Sequence, residues 1–384
     1  MSLAQSDNPP AGDVFWEARE LPVFCNVLCA TRAEALAVPR GDMRLAYEPV
    51  SGLVRNVAFD PQRMDYDARY ENSLHFSPRF QAYADELVER LTARHNLHNR
   101  DILEIACGQG DFLSALCRAG QNRGVGFDPA FDAADAKLAD GVRVVQEYYS
   151  SRHAEVPADF ICCRHALEHI PDPVGFLREL RKTVGDRRDT IVFFEVPNGL
   201  YTLRELGIWD LIYEHCTYFV PESLHWCFTQ AGFEVLDLQE VFDGQFLTIE
   251  VQPAAADGAV DAPAPRTAEH VRAFAAAYRE KVAAWGERIA DLRAAGRKAV
   301  VWGSGSKGVT FLNVIRPEGV IDRVVDINPR KQGKFVAGTG QPIVAPATLP
   351  ADPPDVVVVM NAIYLDEIRA TLAGLGIAAE VIAA

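Results

Sequence analysis

No run of lysine or arginine in this chain exceeds two residues, and the formal net charge is −15. A surface so short of clustered positive charge argues against nucleic acid and anionic membrane as partners. No stretch approaches the roughly 18 consecutive apolar residues that cross a bilayer. The segment Met1–Asn8 lacks the basic start and apolar core of a secretion signal, so a cytoplasmic protein is expected. The eight cysteines are scattered, several within predicted strands and helices, and no pair lies at zinc-ligand spacing from the histidines. Most thiols are therefore expected to pack as small apolar groups in a reducing compartment. What the chain does have is length, 384 residues, and 49% apolar content, enough for two domains and an appendage.

The strongest signal is Asp101-Ile102-Leu103-Glu104-Ile105-Ala106-Cys107-Gly108-Gln109-Gly110-Asp111-Phe112. An apolar strand ends in a small-residue turn and feeds a helical pattern. A second strand, Arg123–Phe127, ends at Asp128-Pro129. Glycines in the turn let backbone approach a ligand closely, and an acid ending the second strand can accept from both hydroxyls of a ribose. The spacing is not the Gly-x-Gly-x-x-Gly of dinucleotide sites. Glu104 before the glycines and Asp111 after them would repel a pyrophosphate and suit an ammonium group. The stretch resembles motif I of the class I S-adenosylmethionine (SAM) methyltransferases, with Ala106 where that family usually has glycine. The resemblance implies SAM as cofactor, held by Glu104, Ala106, Cys107, Gly108, Gly110, Phe112, Asp128 and Pro129.

Around this motif, residues 1 to about 60 read as irregular and 78–98 as an amphipathic helix. Alternating strands and helices then run to about 252, implying a mostly parallel, doubly wound sheet. The last two strands, 233–240 and 247–251, are expected to form an antiparallel edge pair. Residues 254–266 are small and Pro-rich and read as a linker. A long helix over 268–295 and strands at 298–302, 323–327 and 355–360 make a second Rossmann-like unit. The expected division is a small module over 1–65, a SAM-binding domain over 66–253 and a C-terminal domain over 267–384. In the last, Gly303-x-Gly305-x-x-Gly308 with Asp326 fits a dinucleotide fingerprint weakly. A nucleotide diphosphate facing Lys307, or a purely structural loop, are the other readings.

Two histidine-bearing segments follow strands of the first unit. Tyr213-Glu214-His215-Cys216-Thr217-Tyr218-Phe219 comes after the strand ending Glu195-Val196-Pro197-Asn198, where ligands of open α/β sheets sit. A histidine beside an acid can be a general base, and Tyr213 could donate to a developing enolate oxygen. A His-Glu pair can equally pin a loop. Arg164-His165-Ala166-Leu167-Glu168-His169 follows the fourth strand. There Arg164 and His165 are expected to line the cofactor pocket, His165 to touch substrate as well, and His169 to be structural. Before the first domain helix, Tyr70 is the best candidate for ligand contact in an aromatic-polar stretch.

Taken together, the chain resembles the three-part sugar C-methyltransferases of deoxysugar and antibiotic biosynthesis. The likeness rests on motif I with Asp128, the Tyr-Glu-His-x-x-Tyr-Phe signature at 213–219, and the C-terminal Gly303–Gly308 loop with Asp326–Lys334. It implies that the C-terminal domain helps bind a nucleotide-linked keto-sugar. His215 would remove the proton beside the ketone, with Glu214 orienting it and Tyr213 at the enolate oxygen. Tyr70, His165, Asn198, Tyr218, Gly305, Lys307, Asn328, Lys331 and Asn361 would face substrate. The family's N-terminal zinc module is degenerate here, with Glu48 and Ser51 in place of two cysteines and only Cys25 and Cys29 left, so no metal is expected. Two alternatives stay open: an N- or O-methyltransferase of another small molecule, and a non-methylating nucleotide- or NAD-binding protein. A monomer or homodimer acting on a small-molecule acceptor is expected.

Overall fold

A computed structural model describes residues 12–64, 69–71, 73–134, 136–185, 187–255 and 267–384. The expected linker 254–266 falls almost wholly outside the described residues. The N-terminal part corrects the expectation of irregular chain. It contains β1 (Val14–Pro22), α1 (Arg32–Leu36), β2 (Arg40–Tyr47) and β3 (Val54–Asn56). In β2 Gly41, Met43 and Leu45 are buried and Arg40, Asp42 and Arg44 point away, a period-two alternation. These strands are antiparallel, and the sheet is completed from far along the chain: β9 (Thr217–Tyr218) pairs with β3, placing Val54 opposite Tyr218.

The turn at Glu48-Pro49-Val50-Ser51 closes on its own side chains. The Glu48 carboxylate accepts from the Val50 N–H (3.0 Å) and from the Ser51 N–H and hydroxyl (2.6 Å each). Burial pushes the carboxyl up, but these donors outweigh it and hold it below its ordinary value. The turn packs beside Glu222, whereas Cys25 donates its N–H to Glu214 and Cys29 bridges to Phe335, so the two segments expected to correspond to a degenerate zinc module face different neighbours. Both thiols are buried and pushed up by burial, Cys29 to about 11. Glu48→Ala should therefore lower unfolding free energy by about 2 kcal/mol, the cost of leaving the buried Ser51 N–H and hydroxyl unpaired. Urea titration of wild type and variant measures this, and equal midpoints would show that the turn is held some other way.

The central domain begins with α2 (Pro78–Arg94), where Ser77 caps the helix by accepting from the Phe80 N–H and Pro78 occupies the first turn. The helix stops short of residue 98 because Asn96 and Asn99 take left-handed φ of 48° and 57°. Then come β4 (Asp101–Ile105), α3 (Asp111–Gly120), β5 (Arg123–Phe127), β6 (Val142–Val145), β7 (Phe160–Arg164), α4 (Pro173–Val184), β8 (Ile191–Pro197), α5 (Gly199–Arg204), β9, α6 (Pro221–Gln230), β10 (Phe233–Val241) and β11 (Phe246–Pro253). The sheet order is β10-β11-β8-β7-β4-β5-β6, parallel except that β11 runs antiparallel to both β8 and β10. This is the doubly wound class I sheet with the expected antiparallel edge. The chain reverses direction of winding between β4 and β7, so the loops after those two strands open a crevice at their carboxyl ends.

The C-terminal domain follows α7 (Ala268–Ala294), with β12 (Ala299–Trp302), α8 (Ser306–Ile315), β13 (Ile321–Val325), β14 (Ile343–Val344), β15 (Val356–Val359), α9 (Leu365–Gly374) and β16 (Glu380–Ala383). Its sheet is wholly parallel in the order β14-β13-β12-β15-β16. Every residue of β12 and β15 is buried, as a sheet covered on both faces requires. The short strands β14 and β16 have no counterpart among the strands read from the sequence.

Candidate active site

The turn after β4 is built from left-handed residues: Ala106 at φ 56°, Gly108 at 55° and Gly110 at 79°. Alanine at the first of these bears a cost of about 1 kcal/mol that glycine would not, yet it keeps the turn. A side chain added at Gly108 would meet nothing within 4 Å, whereas one at Gly110 would strike Leu138. Gly108 thus presents bare backbone to the crevice, and Gly110 heads α3 with no side-chain cap. Asp128 braces the turn from β5: its carboxylate accepts from the Gly108 and Ala130 N–H groups, both at 2.8 Å, and stays half-buried beside half-buried Pro129.

Beneath the turn lies Glu104, 2% exposed. Burial pushes its carboxyl up to about 8; Arg164 and the Leu113 N–H oppose this, while Asp111 and Asp128 add to it. A cationic ligand is what such a cluster of acids lacks. Cys107 and Phe112 are placed otherwise than expected. The Cys107 side chain packs under Gly126, so only its backbone faces the turn. Phe112 is buried in the core with the Arg164 guanidinium 4.2 Å above its ring. Arg164 itself is locked to the fully buried Glu195 at 2.8 and 3.1 Å, and the Tyr83 hydroxyl and His165 Nε2 meet the same carboxylate. The coulombic field of Arg164 and these donors overcome burial and hold Glu195 at about 2. Glu195 and Tyr83 went unrecognised as site residues in the sequence, because a charged pair buried across two strands leaves no local pattern.

The second cluster joins the loops after β7 and β8. The Cys216 N–H donates to the Glu168 carbonyl (2.9 Å), and the Glu214 carbonyl accepts from His169 Nδ1 (3.0 Å). The His169 and His215 rings then meet edge to face at 4.9 Å, with Tyr218 5.9 Å from His215. His215 is half-buried. Burial, with the positive fields of His169, His165 and Lys307, holds it well below the usual histidine range.

Its chain neighbours are corrected. Glu214 does not orient His215. Its carboxylate turns away to the Cys25 N–H (2.5 Å), the Asn26 N–H, the Tyr70 hydroxyl and the field of Lys331, and burial still pushes it up to about 7. Tyr213 lies in the core against Gly41 and Phe59, its hydroxyl accepting from the Asp60 N–H at 2.9 Å. The expected substrate contacts divide likewise. Asn198 caps α5 and reaches the Gly244 carbonyl (2.8 Å), the Tyr218 hydroxyl closes on the Ile212 backbone, and Asn361 pairs with Gln245. Lys307 is ion-paired with Asp210 rather than turned toward a phosphate. Asn328 and Arg330 hold Glu71, while the buried Lys331 reaches Asn26 Oδ1 (3.2 Å) beside Gly305. Asp326, 8% exposed, accepts from the Ser304 N–H and hydroxyl and the Asn328 N–H, so the C-terminal glycine loop is closed on itself.

Residues 76–238 match the family described as a methyltransferase domain, and residues 262–379 match the C-methyltransferase C-terminal domain. The chain is a SAM-dependent methyltransferase whose C-terminal part is similar to the C-terminal domain of C-methyltransferases. The non-methylating alternative is thereby overturned. This methyltransferase is 26% identical over 303 residues to the C-methyltransferase NovU of Streptomyces niveus, spanning 74% of this chain and 71% of that protein. It is also 26% identical over 146 residues to a ubiquinone biosynthesis O-methyltransferase of Hydrogenovibrio crunogenus, a match spanning 36% of this chain and 58% of that one. SAM is the cofactor of the methyltransferase. The bare backbone at Gly108, the Asp128 carboxylate and the buried acids fit a ribose and the ammonium and sulfonium of a methionine moiety. Among the described residues no helix is long and apolar enough to cross a membrane.

Placed against the cofactor's ammonium group, Glu104 would make cofactor binding pH-dependent. Its folded value of about 8 lies above the ordinary 4.5, so its contribution to apo stability is full below 4.5 and lost as pH rises toward 8. A nearby ammonium favours the carboxylate, so SAM should expel that proton and bind more tightly as pH rises from 6 to 8, by up to about ten-fold per unit. Calorimetry in buffers of different ionisation enthalpy reads the released proton. Glu104→Gln should abolish the release, and persistence of it would move the titration to another group.

Proposed function

We propose that this enzyme C-methylates a nucleotide-linked keto-sugar through an enolate formed by His215. The observation that carries the reading is the placement of His215: half-buried, kept neutral, packed edge to face on His169 and set at the carboxyl end of the sheet. The likeness to NovU over most of both chains supports a carbon acceptor. When bound, SAM supplies an electrophilic methyl group on a good leaving group. The chain's own work is to remove a proton from carbon and to hold the resulting anion. His215 takes the proton on a ring nitrogen. The Glu214 carbonyl fixes His169, which sets the ring of His215 in turn. Removal of a proton from carbon is the step for which amine and hydroxyl acceptors have no need.

The test is exchange. A nucleotide-linked keto-sugar incubated with enzyme in deuterium oxide should gain deuterium beside the ketone, observed by proton NMR, and His215→Ala should not catalyse the gain. Absence of exchange with every keto-sugar tried, alongside methylation of an amine or hydroxyl, would establish the N- or O-methyltransferase reading instead. The profile of kcat/KM against pH gives a second check. With His215 held well below its ordinary 6.5, the acid limb should lie below that value and activity should stay level through it. A limb at or above 6.5 would count against His215 as the base.

A further inference from the structure

Glu168, His169 and His215 bring one carboxylate oxygen and two imidazole nitrogens within 4.8 Å of one another. Two histidines and a carboxylate with an open fourth position are the donor set of many zinc sites. The Glu168 carboxyl is 2% exposed, and its Oε2 makes no hydrogen bond among the described residues. An acceptor buried without a donor is costly, and a cation would satisfy it. The histidine beside it is already oriented for a metal. His169 Nδ1 engages the Glu214 carbonyl at 3.0 Å, which fixes the tautomer and leaves Nε2 as the lone-pair nitrogen, 4.0 Å from Glu168 Oε1. A backbone carbonyl holding the far nitrogen of a ligating histidine is the usual outer support of such sites. The third ligand is held in register by the bond from Cys216 N–H to the Glu168 carbonyl, which staples the two loops together.

We propose that Glu168, His169 and His215 form a binding site for a divalent cation of the zinc class, and that its occupancy switches off the enzyme by engaging the ring nitrogen that removes the proton. The binding part stands on geometry alone; the switching part rests on His215 being the base. The site is distinct from the N-terminal zinc module of the family, whose positions here are Cys25, Cys29, Glu48 and Ser51. It was not visible in the sequence, where Glu168 and His169 lie far from His215 and no metal is expected.

Cobalt(II) added alone to the full chain tests the binding. One ion per chain should bind with the intense visible absorption of a four-coordinate site. Glu168→Gln and His169→Phe should each weaken it at least ten-fold, with far-ultraviolet circular dichroism confirming that both variants fold. A Cys25→Ser, Cys29→Ser double variant should bind as wild type does. Failure of wild type to bind, or loss of binding in the cysteine variant with retention in the other two, overturns the site. Deuterium exchange at the acceptor then tests the switch. One equivalent of zinc should suppress exchange and a chelator restore it, while Glu168→Gln should exchange in the presence of zinc. If His215→Ala still exchanges, the base assignment fails and the cobalt spectrum stands. If exchange needs His215 but no metal binds, the metal site fails alone.

Discussion

His215→Ala should lower turnover by about a thousand-fold or more while SAM binds as in wild type. The magnitude follows from what a positioned general base supplies, roughly 10²- to 10⁴-fold. The separation of effects follows from the layout. His215 touches His169 and Tyr218, whereas the turn at Gly108 is braced by Asp128 from a different strand. Calorimetry with SAM and a turnover assay on the same preparation measure both quantities. His215→Gln, which keeps most of the volume, guards against a packing artefact and should be as inactive. A fully active variant would remove His215 from the chemistry, and joint loss of SAM binding and activity would make the loop a structural support of the cofactor pocket.

Asp128→Ala should weaken SAM by about a hundred-fold. Charge-assisted hydrogen bonds are each worth about 1.5–3 kcal/mol, and two to ribose hydroxyls at the lower end, about 3 kcal/mol together, come to that factor. The carboxylate also braces the turn through the Gly108 N–H, so part of the loss would come through a looser turn. Asp128→Asn separates the contributions. Its amide oxygen can still accept from one N–H but carries no charge, and an intermediate affinity is expected. Equal affinity of Asp128→Ala and wild type would refute the ribose assignment.

The methyltransferase sheet was legible because its signals are local: an apolar strand, a glycine turn and an acid recur within a few residues, and the helices between them keep their period. Asp128 and Gly108 meet as the motif implies. The N-terminal sheet was not read, although the alternation of Met43 and Leu45 with Asp42 and Arg44 was available. Its partner strand at Thr217–Tyr218 is only two residues long and lies some 160 positions away in sequence. Burial and long-range pairing decide the rest. Glu214 next to His215 reads as a dyad, yet adjacent residues on an irregular loop need not share a direction, and Glu214 turns to Cys25 and Tyr70. Lys307 in a glycine loop reads as a phosphate ligand, but Asp210 from the central domain reaches it first. The Glu195 and Arg164 pair spans neighbouring strands, a juxtaposition set only by sheet order.

The loop that carries His215 is tied on three sides. β9 gives it to the N-terminal sheet, the Asn56 N–H donates to the Cys216 carbonyl, and Glu214 takes the backbone of Cys25 with Lys331 of the C-terminal domain beside it. A chimera that exchanges the C-terminal domain for a relative's therefore replaces part of the scaffold of this loop. Such a graft would need the donor's segments around residues 25–29 and 54–56 to come with it, because the support of the loop is shared among three parts of the chain and is exchanged in blocks rather than residue by residue.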